Sequence, residues 1–312
     1  MRSHAREFGL FAALVAFALV LGLLAPGFFT PGNLKNLALD NLPLLVIATG
    51  MTLVILAGEI DVSVGAQFAA CGVLAGVLAK LGLPLIVVAP CVLVCAAGFG
   101  ALQGALVASG VPAIVVTLAS LAIVRGLLRW TTGGRWIADL PSGFQWFGLG
   151  QAGGQVLAAI AVAFLLASTA VSLRWLSAAR ALHALGCNAE AARLAGVRVA
   201  RVRVAVFALL SAFAAAAALI SVTRYPAIEI EAGAGLELQA IACVVLGGAS
   251  IRGGRATLVG TWLGVALLGT LGTALVFLGV GAAWERAVQG AIILAALAPE
   301  WVRARRPSEA RA

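Results

Sequence analysis

The segment AGEIDVSVGA, residues 57–66, places two carboxylates between apolar stretches. Glu59 and Asp61 are acids in surroundings that penalise charge, and acids inside a membrane are usually functional. Gly58 and Gly65 permit a helix to break, which would free backbone groups to line a cavity. The chemistry that this spacing offers is an ion relay or a polar lining for a transport path. A short interfacial loop with solvated acids is the alternative.

A second glycine-rich break lies in VVLGGASIRGGRATLVG, residues 244–260. An apolar helix is expected to stop at Gly247 and Gly248, and a polar turn with Gly253 and Gly254 leads to the next helix. Its position in the second half of the chain roughly corresponds to that of the first break in the first half, so an internal repeat is a hypothesis. The run lacks the lysine with which a phosphate-binding loop contacts a nucleotide, so this chain is not expected to bind ATP in that way.

Polar side chains also occur in a third segment, GVPAIVVTLASLAIVRG, residues 110–126. Pro112 suits the first turn of a helix. Thr117 and Ser120 would either line a polar path or bond back to carbonyls of their own helix, and the sequence leaves both open. The candidates for the translocation path are Glu59, Asp61, Ser63, Gly65, Pro112, Thr117, Gly247, Gly248, Gly253 and Gly254.

The most polar part of the chain is Arg174–Arg203, in which six arginines fall within thirty residues. Each charge at the centre of a bilayer costs roughly 2.5–3.5 kcal/mol on insertion scales, so this segment is expected in water between two embedded halves. Inside it, Asn188 can cap a helix by accepting from the N–H of Glu190 or Ala191, and Gly196 is a natural stop.

The helix predicted there, residues 189–195, would lie outside the bilayer, where it could dock on a partner protein. Its small apolar side chains are Ala191, Ala192, Leu194 and Ala195. An ordinary solvated loop is the alternative.

Composition sets the class of protein. The chain has 312 residues, of which 62% are hydrophobic and 11% charged, with a mean hydropathy of +1.09. A soluble domain is about 45–50% apolar and about 25% charged, so the sequence predicts an all-α polytopic membrane protein.

The net charge of +9 does not indicate nucleic-acid binding, because the arginines cluster in loops between apolar spans. Four of the five cysteines fall in apolar stretches away from both histidines, so no metal site is expected.

Ten apolar runs predict about ten transmembrane helices in one domain, residues 1–312, with halves at about 1–150 and 151–312. The runs are 8–24, 42–57, 62–79, 84–107, 112–130, 155–175, 202–221, 234–249, 256–279 and 286–301.

Basic residues predict the orientation of these helices. Arg2 and Arg6 precede the first run, which indicates an uncleaved helix with its N-terminus in the cytoplasm. An even number of spans returns the tail, 302–312, to the same side. The inside segments then hold 14 of the 21 basic residues, whereas 131–154 and 222–233 lie outside.

The motifs in this order resemble those of the permease subunits of bacterial ATP-binding-cassette importers of the ribose type. The matching stretches are AGEIDVSVGA, VPAIVVTLASLAIVRGLL, ALGCNAEAARLAGVRVARVR and GLELQAIACVVLGGASIRGGRATLVG, within residues 40–297. The stretches TGGRWIADLP (132–141) and AAWERAVQGAIILAAL (282–297) look closest to the autoinducer-2 and rhamnose importers. Glu59 stands where a small residue is expected in ribose permeases, which argues against ribose itself.

The resemblance implies a cytoplasmic loop at about 176–202, whose segment 185–199 is a coupling helix seated in a groove of an ATPase subunit. The residues assigned to this contact are Leu185, Gly186, Asn188, Glu190, Ala191, Ala192, Leu194, Gly196 and Val197. It also implies a second permease copy or paralogue, a periplasmic sugar-binding protein, and a place among the lipids of the bacterial inner membrane. It implies no cofactor.

The sequence thus predicts import of a small sugar or sugar-like solute, such as rhamnose, autoinducer-2 or ribose, driven by ATP hydrolysis on a partner. An ion-coupled secondary transporter that uses Glu59 and Asp61 is the main alternative. A membrane-embedded enzyme is disfavoured, because no nucleophile lies beside a plausible histidine base.

Overall fold

The fold is known from a computed structural model, with side chains described from residue 7 onward. The described residues are 2–281, 284, 287–288 and 290–291. The predicted run 286–301 is described at only four positions, and the predicted tail 302–312 lies outside the described residues.

Long helices dominate the described part of the chain. They are α1 (Arg2–Leu24), α2 (Pro31–Leu56), α3 (Val64–Lys80), α4 (Leu85–Ala108), α5 (Ala113–Thr132), α6 (Gly150–Trp175), α7 (Ser177–Cys187), α8 (Ala189–Leu194), α9 (Val199–Val222), α10 (Leu236–Leu246) and α11 (Leu258–Phe277). Seven of them, α1, α2, α4, α5, α6, α9 and α11, are long and apolar enough to cross a membrane. The prediction of an all-α polytopic membrane protein is confirmed.

Two apolar helices are too short to cross a bilayer alone. α3 has 17 residues and α10 has only 11, although the predicted run 234–249 was longer. Gly235 precedes α10 with a φ of +88°, and Gly248 follows it with a φ of +94°. These left-handed conformations do not continue a helix, so they limit its length at both ends. At 1.5 Å per residue α10 covers about 16 Å, roughly half of a hydrocarbon core of about 30 Å.

Helix α9 lies at the centre of the bundle and packs against α2, α3 and α4. A Cβ at Gly104 of α4 would lie 2.6 Å from the Cα of Val204, and one at Gly100 would collide with the carbonyl oxygen of Phe207. The two helices therefore meet backbone to backbone, as small residues allow in membranes. Helix α2 also packs against α10 and α11, so the two predicted halves form one bundle.

Residues 223–235 form a coil that runs beside α3. Ile228 would touch a Cβ placed on either Gly76 or Gly72 of α3, and Gly233 lies against the carbonyl oxygen of Gly65. Gly76 and Gly65 are eleven residues apart, about 16 Å along the helix. The second half of this coil therefore extends along α3 towards its start. That 222–233 lies outside the membrane stays a prediction.

Candidate functional site

The predicted coupling segment contains a short helix, α8, at the expected position. Asn188 lies just before it in extended backbone (φ −162°), and its Oδ1 accepts from the N–H of Ala191 at 3.0 Å. This confirms the predicted cap. The helix ends at Leu194, one residue earlier than predicted, and Gly196 follows with a φ of +85°. The N–H of Val197 bonds back onto α8 and closes the turn.

The outward surface of α8 is charged and exposed. Arg193 Nη2 lies 2.6 Å from Glu190 Oε1, and this hydrogen bond lowers the pKa of the Glu190 carboxyl from its ordinary value. Ala192 is buried against its own chain, whereas Leu194 is 79% exposed. The predicted apolar face is therefore divided. Ala191 and Leu194 are available to a partner, and Ala192 is not.

The C-terminal end of α7 contacts both predicted helix breaks. A Cβ at Gly186 would collide with the carbonyl oxygen of Leu56 and would lie 2.5 Å from the nitrogen of Gly254. A Cβ at Gly253 would lie 2.7 Å from the Cα of Gly58 and 2.8 Å from the carbonyl oxygen of Gly186. Three backbone segments meet where only glycine fits. We name this contact the glycine junction; it consists of Gly58, Gly186, Gly253 and Gly254.

Neighbouring residues fix the glycine junction in place. Leu185, one residue before it on α7, is buried in the main apolar core. Gly247, at the end of α10, leaves no room for a Cβ beside the backbone of Gly260 in α11. The structure thus brings together the two glycine-rich breaks and the start of the coupling segment, which the sequence placed far apart.

Glu59 in the first break is held by an ion pair with α9. Arg203 Nε lies 2.9 Å from Glu59 Oε1, and the exposed fractions of the two side chains are 25% and 13%. Because the pair is largely shielded from water, removing either partner would leave an uncompensated charge beside the break. The pair also joins the first break to the arginine-rich segment.

Asp61 is fully buried and bonds within the same break. Its Oδ1 accepts from the backbone N–H of Ser63 at 2.7 Å and from the Ser63 hydroxyl at 2.6 Å, and its Oδ2 accepts from Gln67 at 3.2 Å. The Ser63 hydroxyl accepts in turn from Gln103 of α4 at 2.8 Å. These bonds form the turn from which α3 starts. Glu59 and Asp61 have separate partners, which favours support of the break over a shared ion relay.

The predicted path residues Gly65, Pro112 and Thr117 lie near the starts of α3 and α5. Gly65, in the first turn of α3, leaves no room for a Cβ beside Glu237 and the carbonyl oxygen of Gly233. Pro112 directly precedes α5 instead of lying in its first turn. Thr117 is buried, and its hydroxyl donates to a carbonyl oxygen three residues earlier at 3.4 Å. Of the two alternatives for Thr117, the structure contains the bond back to its own helix.

Arg125 is a functional candidate that the sequence analysis missed. It extends from α5, and its Nη1 and Nη2 donate to the carbonyl oxygens of Ile230 at 3.0 Å and Ala232 at 3.3 Å. Coil inside a membrane protein needs such donors, because lipid cannot satisfy its free carbonyls. The signal that identifies Arg125 is an arginine well inside the mostly apolar run 112–130, in which Arg129 lies next to the end.

Comparison with known proteins places similar chains among transport permeases. The profile of the family described as "Branched-chain amino acid transport system / permease component" matches residues 33–297. The ribose import permease protein RbsC of Escherichia coli K12 is 36% identical over 293 residues, which cover 91% of this chain and 90% of that one. The autoinducer 2 import system permease protein LsrC of Salmonella typhi is 36% identical over 94% of this chain and 84% of its own length. The probable ABC transporter permease protein YphD of Escherichia coli K12 is 35% identical over 99% and 93%. No solved structure matches the chain.

Proposed function

We infer the function from one premise, that this chain belongs to the permease family of branched-chain amino acid transport systems. Relatives named for their substrates are ribose and autoinducer 2 permeases, and another is named as an ABC transporter permease. This chain is accordingly the membrane permease of an ATP-binding-cassette importer and not an enzyme. Its solute is a small sugar or a sugar-like molecule, and ATP is hydrolysed on a separate subunit.

The glycine junction is the observation that carries this proposal. An importer of this kind must transmit movement from a water-exposed docking element to the helices around the transport path. The end of α7 lies directly against Leu56 and Gly254, at the two helix breaks. Helix α8 follows after one residue, capped by Asn188 and exposed on its outward surface. Docking of the ATPase on α8 would therefore move both breaks together.

The connecting segments between the helices group at two opposite ends of the bundle. At one end, the Lys80 ammonium group donates to the carbonyl oxygen of Ala138 at 2.9 Å, and the N–H of Trp146 donates to that of Thr223 at 2.7 Å. The glycine junction and the arginine-rich segment lie at the other end. We assign the arginine-rich end to the cytoplasm of a bacterial inner membrane, because basic loops are retained there. Both termini lie on that side in this assignment, and a periplasmic sugar-binding protein docks at the opposite end.

Apolar side chains on the outer helices need a cover of lipid or protein. Ile86 of α4 is 83% exposed, Ile123 of α5 is 59% exposed and Phe164 of α6 is 73% exposed. Apolar surface of this extent is stable only against hydrocarbon or a partner subunit. We assign it to membrane lipid and to a second permease, which is either another copy of this chain or a paralogue.

Reconstitution separates this proposal from ion-coupled transport by Glu59 and Asp61. The permease would be placed in liposomes with its ATPase and binding protein, and uptake of radiolabelled sugar measured with ATP inside. We expect uptake to require ATP and to persist when ionophores collapse the proton and sodium gradients. Uptake that follows either gradient while ATP is held constant would show that the importer proposal is wrong.

A further inference from the structure

A cavity of about 360 Å³ opens along the coil 223–235. Trp136, Tyr225 and Glu229 form part of its wall, and Phe68 of α3 forms another part. The volume lies at the lower end of the range for small-molecule sites, about 300–1,000 Å³. Irregular backbone at membrane depth is tolerated where it is buried in protein or lines a polar cavity, and transporters place solute sites beside such segments.

An antiparallel pairing fixes two of these side chains next to each other. Ile137 and Ile228 exchange both backbone hydrogen bonds, at 3.0 Å and 2.9 Å, and their side chains pack onto α3 at Gly76. Trp136 and Glu229 are the adjacent residues that oppose one another in this register, so their side chains leave the same side of the pairing. An aromatic ring and a carboxylate therefore stand together at the cavity wall.

The charged side chains near the cavity pair with one another, which leaves the Glu229 carboxylate free to bind a ligand. Arg224 is bound to Asp40, with Nη2 2.6 Å from Oδ1, and Glu231 is bound to Arg129 at 2.8 Å. Among the described residues, Glu229 takes part in no side-chain hydrogen bond or ion pair, and it is exposed. Its carboxylate can accept hydrogen bonds from hydroxyl groups, and no cation in the cavity wall favours an anion.

We propose that this cavity is a weak binding subsite for a neutral monosaccharide, an inference that rests on the proposed importer function. The C–H face of a sugar ring packs on the Trp136 ring, and its hydroxyls donate to the Glu229 carboxylate. A phosphorylated sugar is repelled by the same carboxylate. The solute would bind here after leaving the binding protein and before reaching the coil beside Gly65.

Saturation-transfer NMR on the full permease in lipid nanodiscs tests the subsite directly. The probes are D-ribose and L-rhamnose, with D-ribose 5-phosphate as the charged control. We expect saturable signals for at least one neutral sugar and none for the phosphate. Trp136→Leu and the isosteric Glu229→Gln should each weaken binding by about tenfold. Trp130→Leu is the matched control, because Trp130 is 80% exposed and is not part of the cavity wall.

Two results would overturn the subsite. One is the absence of a saturable signal for both neutral sugars. The other is a saturable sugar signal that stays at full strength in both the Trp136 and Glu229 variants. This also holds if those variants fail to dock the binding protein, because the two residues would then serve docking and not sugar binding. ATP-driven uptake by the wild-type complex, measured alongside, separates the two proposals. If uptake persists without sugar binding to the permease, the subsite is wrong and the importer function stands.

Discussion

Gly254 donates its backbone N–H to the carbonyl oxygen of Leu56 at 3.0 Å, which ties the turn after α10 to the last residue of α2. Gly186 of α7 lies against both residues. Close-packed backbone leaves no empty space in which a displacement could be absorbed. Movement of α7 must therefore be passed to both helix breaks or be resisted by them.

The first prediction concerns Gly186→Ala. Alanine normally stabilises a helix relative to glycine, but here its Cβ would collide with the Leu56 carbonyl oxygen. Overpacking typically costs about 1–3 kcal/mol and would displace α7 from the two breaks, so we expect sugar uptake to fall in the reconstituted complex while the protein still inserts. Gly126→Ala in α5 is the control, since nothing lies within 4 Å of a Cβ there. Equal uptake by the two variants would show that the junction transmits nothing.

The second prediction concerns Arg125, which supplies donors to the coil carbonyls of Ile230 and Ala232. Arg125→Met keeps an unbranched, flexible side chain but removes the guanidinium and leaves these acceptors unsatisfied, at about 1–3 kcal/mol each. We expect a lower midpoint of thermal unfolding in detergent and faster proteolysis within 223–235. Arg129→Met is the control, because its ion pair with Glu231 is exposed and pairs of that kind contribute about 0–1 kcal/mol. A midpoint for Arg125→Met no lower than that of the control would contradict this role.

Local signals made part of this structure predictable. The Asn188 cap and the Gly196 stop follow from a few neighbouring residues, and both were located correctly. Seven of the ten apolar runs likewise fall on described helices that are long and apolar enough to cross a membrane, because length and hydropathy decide whether a segment can enter a bilayer. The ends were less predictable: α2 begins at Pro31, eleven residues before its apolar run, since polar residues can continue a helix beyond the membrane.

Contacts between distant segments could not be predicted in this way. Gly58, Gly186 and Gly253 are spread over nearly two hundred residues, and no local pattern shows that they meet. The orientation of α8 is a second example. Its six residues carry too little periodicity to distinguish the buried Ala192 from the exposed Leu194, because packing against the neighbouring helices α7 and α9 sets that rotation.

The third prediction distinguishes the ion pair of Glu59 and Arg203 from a proton relay. Removing one partner leaves a shielded charge uncompensated, so Glu59→Gln and Arg203→Gln should each reduce uptake. Replacing both removes the uncompensated charge, and we expect the double variant to transport better than either single variant. Uptake would be compared in the same liposomes at equal protein. A double variant as inactive as Glu59→Gln alone would instead indicate that the carboxylate itself is needed.

The last prediction separates docking from folding on α8. Ala191 is exposed and Ala192 is buried, so the same substitution at neighbouring positions should fail for different reasons. Ala191→Trp should insert and unfold like the wild type but block the ATPase sterically, with loss of stimulated hydrolysis and uptake together. Ala192→Trp should lower thermal stability, because overpacking a filled site costs about 1–3 kcal/mol.

The cap of α8 supplies an independent measure of the same contact. Asn188→Ala removes the bond to the N–H of Ala191, which typically costs about 0.5–2 kcal/mol, whereas Asn188→Asp retains an acceptor. We expect stimulated ATP hydrolysis to fall in the alanine variant and to be retained in the aspartate variant. If Ala191→Trp and Asn188→Ala both hydrolyse ATP and transport sugar at wild-type rates, α8 is a passive loop. The ATPase must then dock elsewhere, because an element that tolerates both a bulky obstruction and the loss of its cap cannot be the surface through which force is transmitted.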